Sequence, residues 1–455
     1  MSGIVPILQS TSRGFWSRTM PLALALSILA PATPAVAQAY PPSALAGASI
    51  RDEIAAQVKS DLRPFYAARG YRPIWLDQSG RPGPAADLLL KRIETARLDA
   101  VKPSKLKAGS LRQALRRASG GDFEDAVRAE LKLSEAYARY VQAMRRVRSA
   151  EMSYESDALA PVVPSAANAL TAAAAQGSLE SNIRAMGWMH PFYAPMRDAL
   201  LDNALPPRQR AVIWQNLDRI RSLPGTPPEK YVLVDAVTAR LWMYENGKLV
   251  DSMRVVVGKN ATQTPAMAGF MRYAIVNPYW NVPVDLVQTM IANNVLDKGL
   301  GYLKAGGYQV LSDWTANPKI VAPQAVDWHA VAAGAQQVRV RQLPGHSNFM
   351  GKVKFEFPNS QGIYLHDTPN KELLRLDGRQ LSNGCVRLED AARFGRWLLD
   401  KRLPATGKKP EQRIDLPQLV PIYITYLTAI PENGTIAFHS DVYGRDGATR
   451  FASAR

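Results

Sequence analysis

LPGTPPEKYVLVDAVTARLWMYENGKLV, residues 223–250, is where the chain changes its period. Residues 223–228 (LPGTPP) place three prolines and a glycine in six positions, which no helix survives, and so mark a domain boundary. Residues 231–235 (YVLVD) and 240–244 (RLWMY) are rich in β-branched and aromatic side chains, as strands require. Asn246-Gly247 lies between the second run and residues 249–257, and Asn-Gly is a strong two-residue hairpin signal.

Further strand-like runs follow at 272–276, 337–341, 353–357, 362–366 and 416–427. Residues 284–335 interrupt them with mixed helix and loop, and read as an insertion. Residues 389–402 (EDAARFGRWLLDKR) form one amphipathic helix pattern, acidic in its first turn and basic in its last, which suits the helix dipole. Upstream of the boundary the pattern is helical. Leu133, Tyr137, Tyr140, Val141 and Met144 recur on one helix face. Residues 65–76 (FYAARGYRPIWL) are aromatic-rich and are expected in the core. Residues 159–178 are alanine-rich and read as a connector, and helix resumes from 192 towards the boundary. There is no internal repeat. The expected class is α+β, a helical N-terminal half followed by a β-rich one.

The chain has 455 residues, 47% hydrophobic and 21% charged, which fits two or three globular domains and excludes general disorder. Its first 37 residues read as a cleavable signal peptide: Arg13 and Arg18, an apolar run over 20–32, and Ala35-Val36-Ala37 as the cleavage signal, with Ala37-Gln38-Ala39 as an alternative. The apolar run is shorter than the roughly 20 residues of a membrane span. Residues 38–49, rich in Ala, Pro and Ser, are expected to be a flexible leader. The formal net charge of +17 is spread over both halves. A nucleic-acid binder gathers its charge in a patch. A spread basic surface suits an anionic polymer such as a cell wall, or a membrane face, and is equally compatible with a generally basic solvated exterior.

Export makes the single cysteine informative, because exported proteins use cysteines in pairs and Cys385 has no partner within the chain. It stands in Ser382-Asn383-Gly384-Cys385-Val386-Arg387, a glycine-containing turn open to close approach. Converging N–H groups of such a turn stabilise an oxyanion. Arg387 and a nearby helix start are both expected to favour the thiolate, the reactive form. A cysteine nucleophile needs a base. Of five histidines, His366 ends a strand-like run, precedes the turn signal Asp367-Thr368-Pro369 and lies nearest to Cys385 in sequence.

The pairing of His366 with Ser382-x-Gly384-Cys385-Val386-Arg387 resembles the catalytic signature of the L,D-transpeptidases, and the large Gram-negative periplasmic type in particular. The resemblance takes in Tyr244-Glu245-Asn246-Gly247-Lys248, Val257-Gly258-Lys259, Thr264-Pro265, residues 277–283 (NPYWNVP), Pro344-Gly345, residues 351–355 (GKVKF), residues 364–369 (YLHDTP) and residues 441–446 (DVYGRD). It is dense over 229–446 and weaker over 60–150. Together with the readings above, it divides the chain into a signal peptide at 1–37, a leader at 38–49, a helical scaffold and connector at 50–228, a β-sandwich-like catalytic domain at 229–430 with a capping insertion at 284–335, and a C-terminal tail at 431–455.

The resemblance further implies that Cys385 attacks the third residue, a diamino acid, of a donor peptidoglycan tetrapeptide and releases D-alanine. An amine of an acceptor stem then resolves the thioester into a 3→3 cross-link. His366 would be the base, oriented by the main chain of Asp367, with Asn383, Gly384 and Cys385 supplying the oxyanion hole. Tyr364, Trp280, Arg387 and Ser382 would line the substrate groove. No metal or cofactor is implied, and carbapenems would acylate Cys385. Many members carry histidine where this chain has Asn383, and residues 151–228 are too short and alanine-rich for a complete peptidoglycan-binding module.

The same residues would serve a hydrolase, or a ligase joining an outer-membrane protein to the wall. A wall-binding scaffold with an incidental cysteine is the non-enzymatic alternative. Ser104-Lys105-Leu106-Lys107 formally matches the S-x-x-K of serine enzymes but lacks the accompanying motifs.

Overall fold

A computed structural model describes residues 43–147, 151–315, 317–405, 407 and 409–447. The expected signal peptide and residues 38–42 of the leader lie outside them. Residues 43–49 already belong to a helix, Ser43–Gln57, so the leader region runs directly into the helical domain.

That domain is organised on the long helix Phe123–Arg145. Asp122 caps it by accepting the Asp125 N–H, and Glu124 and Asp125 sit in its first turn. Its buried stripe includes Leu133, Tyr137, Tyr140, Val141 and Met144, as the periodicity predicts. The aromatic segment before it is core: Phe65, Tyr66 and Trp75 are buried. Glu130 draws that segment in, its carboxylate accepting the Ile74 and Trp75 N–H groups at 2.8 and 2.9 Å and the Tyr66 hydroxyl at 2.6 Å. The alanine-rich stretch is not a loose connector. Ser165 caps the helix Ala166–Ala174, and Ala166, Ala169, Leu170 and Ala173 pack into the same core. Small side chains let this helix approach the long one closely, so burial here comes without a strong apolar signal in the sequence.

The C-terminal half is built on a 10-stranded sheet. Lys230–Asp235, Arg240–Glu245 and Lys248–Gly258 form the antiparallel meander that the hairpin signal predicts. Beyond the third lie the cysteine strand Val386–Leu388, the histidine strand Leu365–His366, then Val353–Glu356 and Met267–Val276. The strand Gln412–Thr425 pairs with Lys230–Asp235 on one side and Met267–Val276 on the other. Its register shifts between Asp415 and Val420, which bends it and rolls the sheet closed. The two layers of the expected sandwich are thus parts of one continuous sheet. Val255, Phe355, Leu365, Val386 and Leu388 fill its interior, with Phe394 and Leu398 of the helix Ala391–Leu399 packed among them.

The capping insertion is larger than residues 284–335. Trp280–Val282 and Arg339–Gln342 pair with each other, and with Tyr308–Leu311 and Ile320–Val321 make a four-stranded sheet of their own. With its helices it has a separate core of Trp280, Ile291, Tyr308, Trp328 and Val340.

Residues 431–455 were expected as a tail. Part of them, with residues just before, forms the hairpin Ala429–Glu432/Thr435–Phe438. Leu427, Ala429 and Ile430 enter the core of the helical domain, where Asn216 exchanges two 2.8 Å hydrogen bonds with Thr428. In return, Ser153–Tyr154, just after the long helix, adds a parallel strand beside Met267 and Ala268. Among the described residues no helix is long and apolar enough to cross a membrane.

Candidate active site

Strand alternation builds the site. Val353, Phe355, Leu365, Val386 and Leu388 face the interior, so Lys354, Glu356, Tyr364, His366, Cys385 and Arg387 share the opposite face. The register sets Lys354 opposite His366 and His366 opposite Arg387. Leu365 pairs with Val386, so one step back Tyr364 faces Cys385, and Cys385 is a diagonal neighbour of His366. Two residues 19 positions apart share one face of the sheet because their strands are adjacent and parallel.

His366 is 2% exposed. Its Nδ1–H donates to the main-chain carbonyl of Asp367 at 2.5 Å, which fixes the ring and leaves Nε2 with a free lone pair. Burial, with Arg387 second, holds its pKa down at about 3, so the imidazole is neutral at pH 7. The Asp367 carboxylate faces elsewhere: it accepts the Lys352 N–H at 2.9 Å and pairs with Lys371 at 2.7 Å.

The turn that presents Cys385 is internally tied. Ser382 Oγ donates to Cys385 O at 2.6 Å and accepts the Gly384 N–H at 3.2 Å. The Thr264 hydroxyl donates to Gly384 O at 2.6 Å. Gly384 has φ +116°, which side-chain-bearing residues rarely adopt, so the turn requires glycine here. Asn383 is exposed at its apex. The half-buried Cys385 points its thiol at Gly362 O, 3.8 Å away.

Two expectations change. The helix does not start beside the thiol, because Val386–Leu388 intervenes as a strand and the helix begins at Ala391. Arg387 does favour the thiolate, as do the Tyr364 N–H and hydroxyl. Burial outweighs them, and with Glu356 adding to it the thiol is pushed up to about 11. At rest the pair is a neutral thiol and a neutral imidazole.

The expected groove residues divide. Tyr364 lies against Cys385, with its ring 6.0 Å from that of His366. Arg387 is half-buried, and among the described residues no hydrogen-bond partner reaches its Nε, which leaves donor capacity inside the site. Ser382 is 1% exposed, and its hydroxyl is spent within the turn. Trp280 belongs to the core of the insertion, between Phe349 (centroids 4.7 Å apart) and Tyr308 (6.5 Å). Tyr364 packs against that same cluster, so the buried Trp280 adjoins the site through the core of the insertion.

Lys354 and Glu356, ion-paired at 3.0 Å beside His366 and Tyr364, were not singled out in the sequence. The alternation of residues 353–357 carries the signal, once paired with residues 364–366. The remaining histidines lie elsewhere: His190 buried in the helical half, His329 on a short helix of the insertion, His346 in a loop of the insertion and His439 after the hairpin. Among the described residues no cluster of three or more His, Cys, Asp or Glu side chains is arranged to hold a metal.

Residues 229–424 match the L,D-transpeptidase catalytic domain, and residues 60–200 match a scaffold domain. A candidate L,D-transpeptidase of Haemophilus influenzae is 29% identical over 405 residues, 86% of this chain and 79% of that one. Among solved structures, an L,D-transpeptidase from Mycobacterium smegmatis is 12% identical over 44% of this chain and 60% of its own, with a TM-score of 0.22. The catalytic domain of the Enterococcus faecium L,D-transpeptidase is 14% identical over 43% of this chain and 95% of its own, with a TM-score of 0.18. The chain spans about half to three fifths of the first two solved chains it matches. Among the described residues, then, a helical region carrying the scaffold domain precedes an L,D-transpeptidase catalytic domain.

Proposed function

We propose that the protein is a peptidoglycan L,D-transpeptidase that forms 3→3 cross-links through a thioester on Cys385. The observation that carries this reading is the shared strand face of Cys385 and His366, with Nδ1 committed to Asp367 O so that Nε2 is the base. A neutral imidazole on the same strand face as a neutral thiol is suited to moving one proton in concert with attack.

His366 Nε2 takes the thiol proton as Sγ bonds to the carbonyl carbon of the donor's third residue. The oxyanion accepts hydrogen bonds from main-chain N–H groups. Because the Gly384 N–H is spent on Ser382, the donors are the N–H groups of Asn383 and Cys385. Collapse breaks the amide, and His366 passes the proton to the departing D-alanine amine. The acceptor amine then attacks the thioester, His366 takes its proton, and the thiolate leaves and is reprotonated. The unpartnered Nε–H of Arg387 suits a stem carboxylate. The site of action is the periplasm, to which the cleavable signal peptide at residues 1–37 directs the chain, and carbapenems acylate Cys385.

Tetrapeptide muropeptides incubated with the protein test this, with products read by mass. Cross-linked dimers lacking one D-alanine, absent with Cys385→Ser, are expected. Tripeptide monomers alone would indicate water as the acceptor, and a conjugate formed only with an outer-membrane protein's amine would indicate a ligase. Undiminished activity in Cys385→Ser would overturn the cysteine mechanism altogether.

A further inference from the structure

Two motifs noted in the sequence, Thr264-Pro265 and residues 441–446 (DVYGRD), have no part in the chemistry above. The structure links them to the cysteine turn by an unbroken line of hydrogen bonds. Tyr443 Oη donates to Gly258 O at 2.5 Å, the Gly258 N–H donates to Thr264 Oγ1 at 2.8 Å, and Thr264 Oγ1 donates to Gly384 O at 2.6 Å. Thr264 is 1% exposed and Tyr443 is buried, so water does not substitute for these bonds at low cost. The loop is packed so tightly that a Cβ on Gly258 would sit 2.1 Å from Thr262 O. A parallel tie runs from the Lys259 N–H to Ser382 O at 2.9 Å.

The far end of the line reaches the scaffold domain. Tyr443 stacks on Tyr426 and donates its N–H to the Tyr426 hydroxyl, which in turn donates to Asp441. The Arg445 guanidinium donates to Gln263 Oε1 at 2.6 Å, inside the same loop. Arg219, on the scaffold helix Pro207–Ile220, holds Asp446 Oδ1 at 2.7 Å and Arg445 O at 2.9 Å.

The peptide unit is planar, so fixing a carbonyl fixes the N–H of the following residue. Gly384 O and the Cys385 N–H belong to one such unit. The residue before that unit is a glycine at positive φ, which would otherwise turn easily. We infer that Thr264 and Tyr443 are positioning residues: through Gly384 O they aim the Cys385 N–H at the oxyanion, and residues 441–446 anchor this turn to the scaffold domain. The inference rests on the reading of Cys385 as the acylated residue.

Three variants of the full chain test it: Thr264→Val, which keeps shape and loses the hydroxyl; Thr264→Ser, which restores it; and Tyr443→Phe. For D-alanine release, kcat falls about ten- to a hundredfold in Thr264→Val with KM within about twofold, falls less in Tyr443→Phe, and recovers in Thr264→Ser. Amide exchange over residues 382–387 accelerates in Thr264→Val and Tyr443→Phe, and not in Thr264→Ser, while residues 230–235 stay protected in all three. If Thr264→Val does not fold, Tyr443→Phe, one oxygen smaller, decides. Unchanged exchange at 382–387, a change in KM alone, or equal losses in Thr264→Ser and Thr264→Val would overturn the inference. A wild-type protein that releases no D-alanine would overturn the proposed function, and the exchange experiment would still decide this one.

Discussion

The resting state of Cys385 predicts an unusual alkylation profile. A thiol pushed up to about 11 is ionised in roughly one molecule in 10,000 at pH 7, against about one in thirty for a free cysteine near 8.5. That factor of about 300 is partly offset because a more basic thiolate is the better nucleophile. With a Brønsted coefficient of about 0.45, the gain over 2.5 units is about 13-fold. Cys385 should therefore react with iodoacetamide about 20-fold more slowly than free cysteine at pH 7. The rate should climb nearly tenfold per pH unit from pH 6 to pH 10. His366, held near 3, should add no inflection between pH 5 and pH 8. The chain has one cysteine, so mass spectrometry of the intact protein reads the reaction without ambiguity. A plateau below pH 8, or a rate above that of free cysteine, would show a preformed thiolate–imidazolium pair and refute the assignment of charges.

Two further outcomes follow from packing. Arg197→Met strands Asp99, whose buried carboxylate is otherwise held, among the described residues, by the Tyr140 and Tyr193 hydroxyls. Breaking one partner of so buried a pair costs about 3–5 kcal/mol, read as a lower urea midpoint for the helical domain. In Gly258→Ala the added methyl is driven against Thr262 O and the Thr264 N–H, so the loop must move. A loss of about 1–3 kcal/mol in stability is expected, together with a loss of D-alanine release larger than stability alone would explain. Wild-type turnover in that variant would show that the loop is incidental.

What the sequence disclosed, and what it hid, follows from the range of each interaction. The change of period at 223–228 is local, and the meander after it could be placed from Asn246-Gly247 alone. Cys385 and His366 stand out by residue type and by their turns. The full extent of the insertion was hidden because its outer strands, Trp280–Val282 and Arg339–Gln342, are short and find each other only in the fold. The helix Ala166–Ala174 buries alanines, which read like a linker. Lys354 and Glu356 gain meaning only from register, and Thr264 and Tyr443 only from contacts spanning 120 and 185 positions. The local charge of Arg387 correctly pointed towards thiolate, but the desolvation that outweighs it comes from tertiary packing.

The crossing of the two halves has a consequence for how this protein is divided. Leu427, Ala429 and Ile430 complete the helical core from the far side of the catalytic strands, while Ser153 and Tyr154 extend the catalytic sheet from the helical side. A cut at residue 228, the boundary so plain in the sequence, would strip each half of apolar surface or sheet pairing supplied by the other. The helical half is therefore less an accessory carried by the enzyme than a portion of its fold, interlaced like the fingers of two hands.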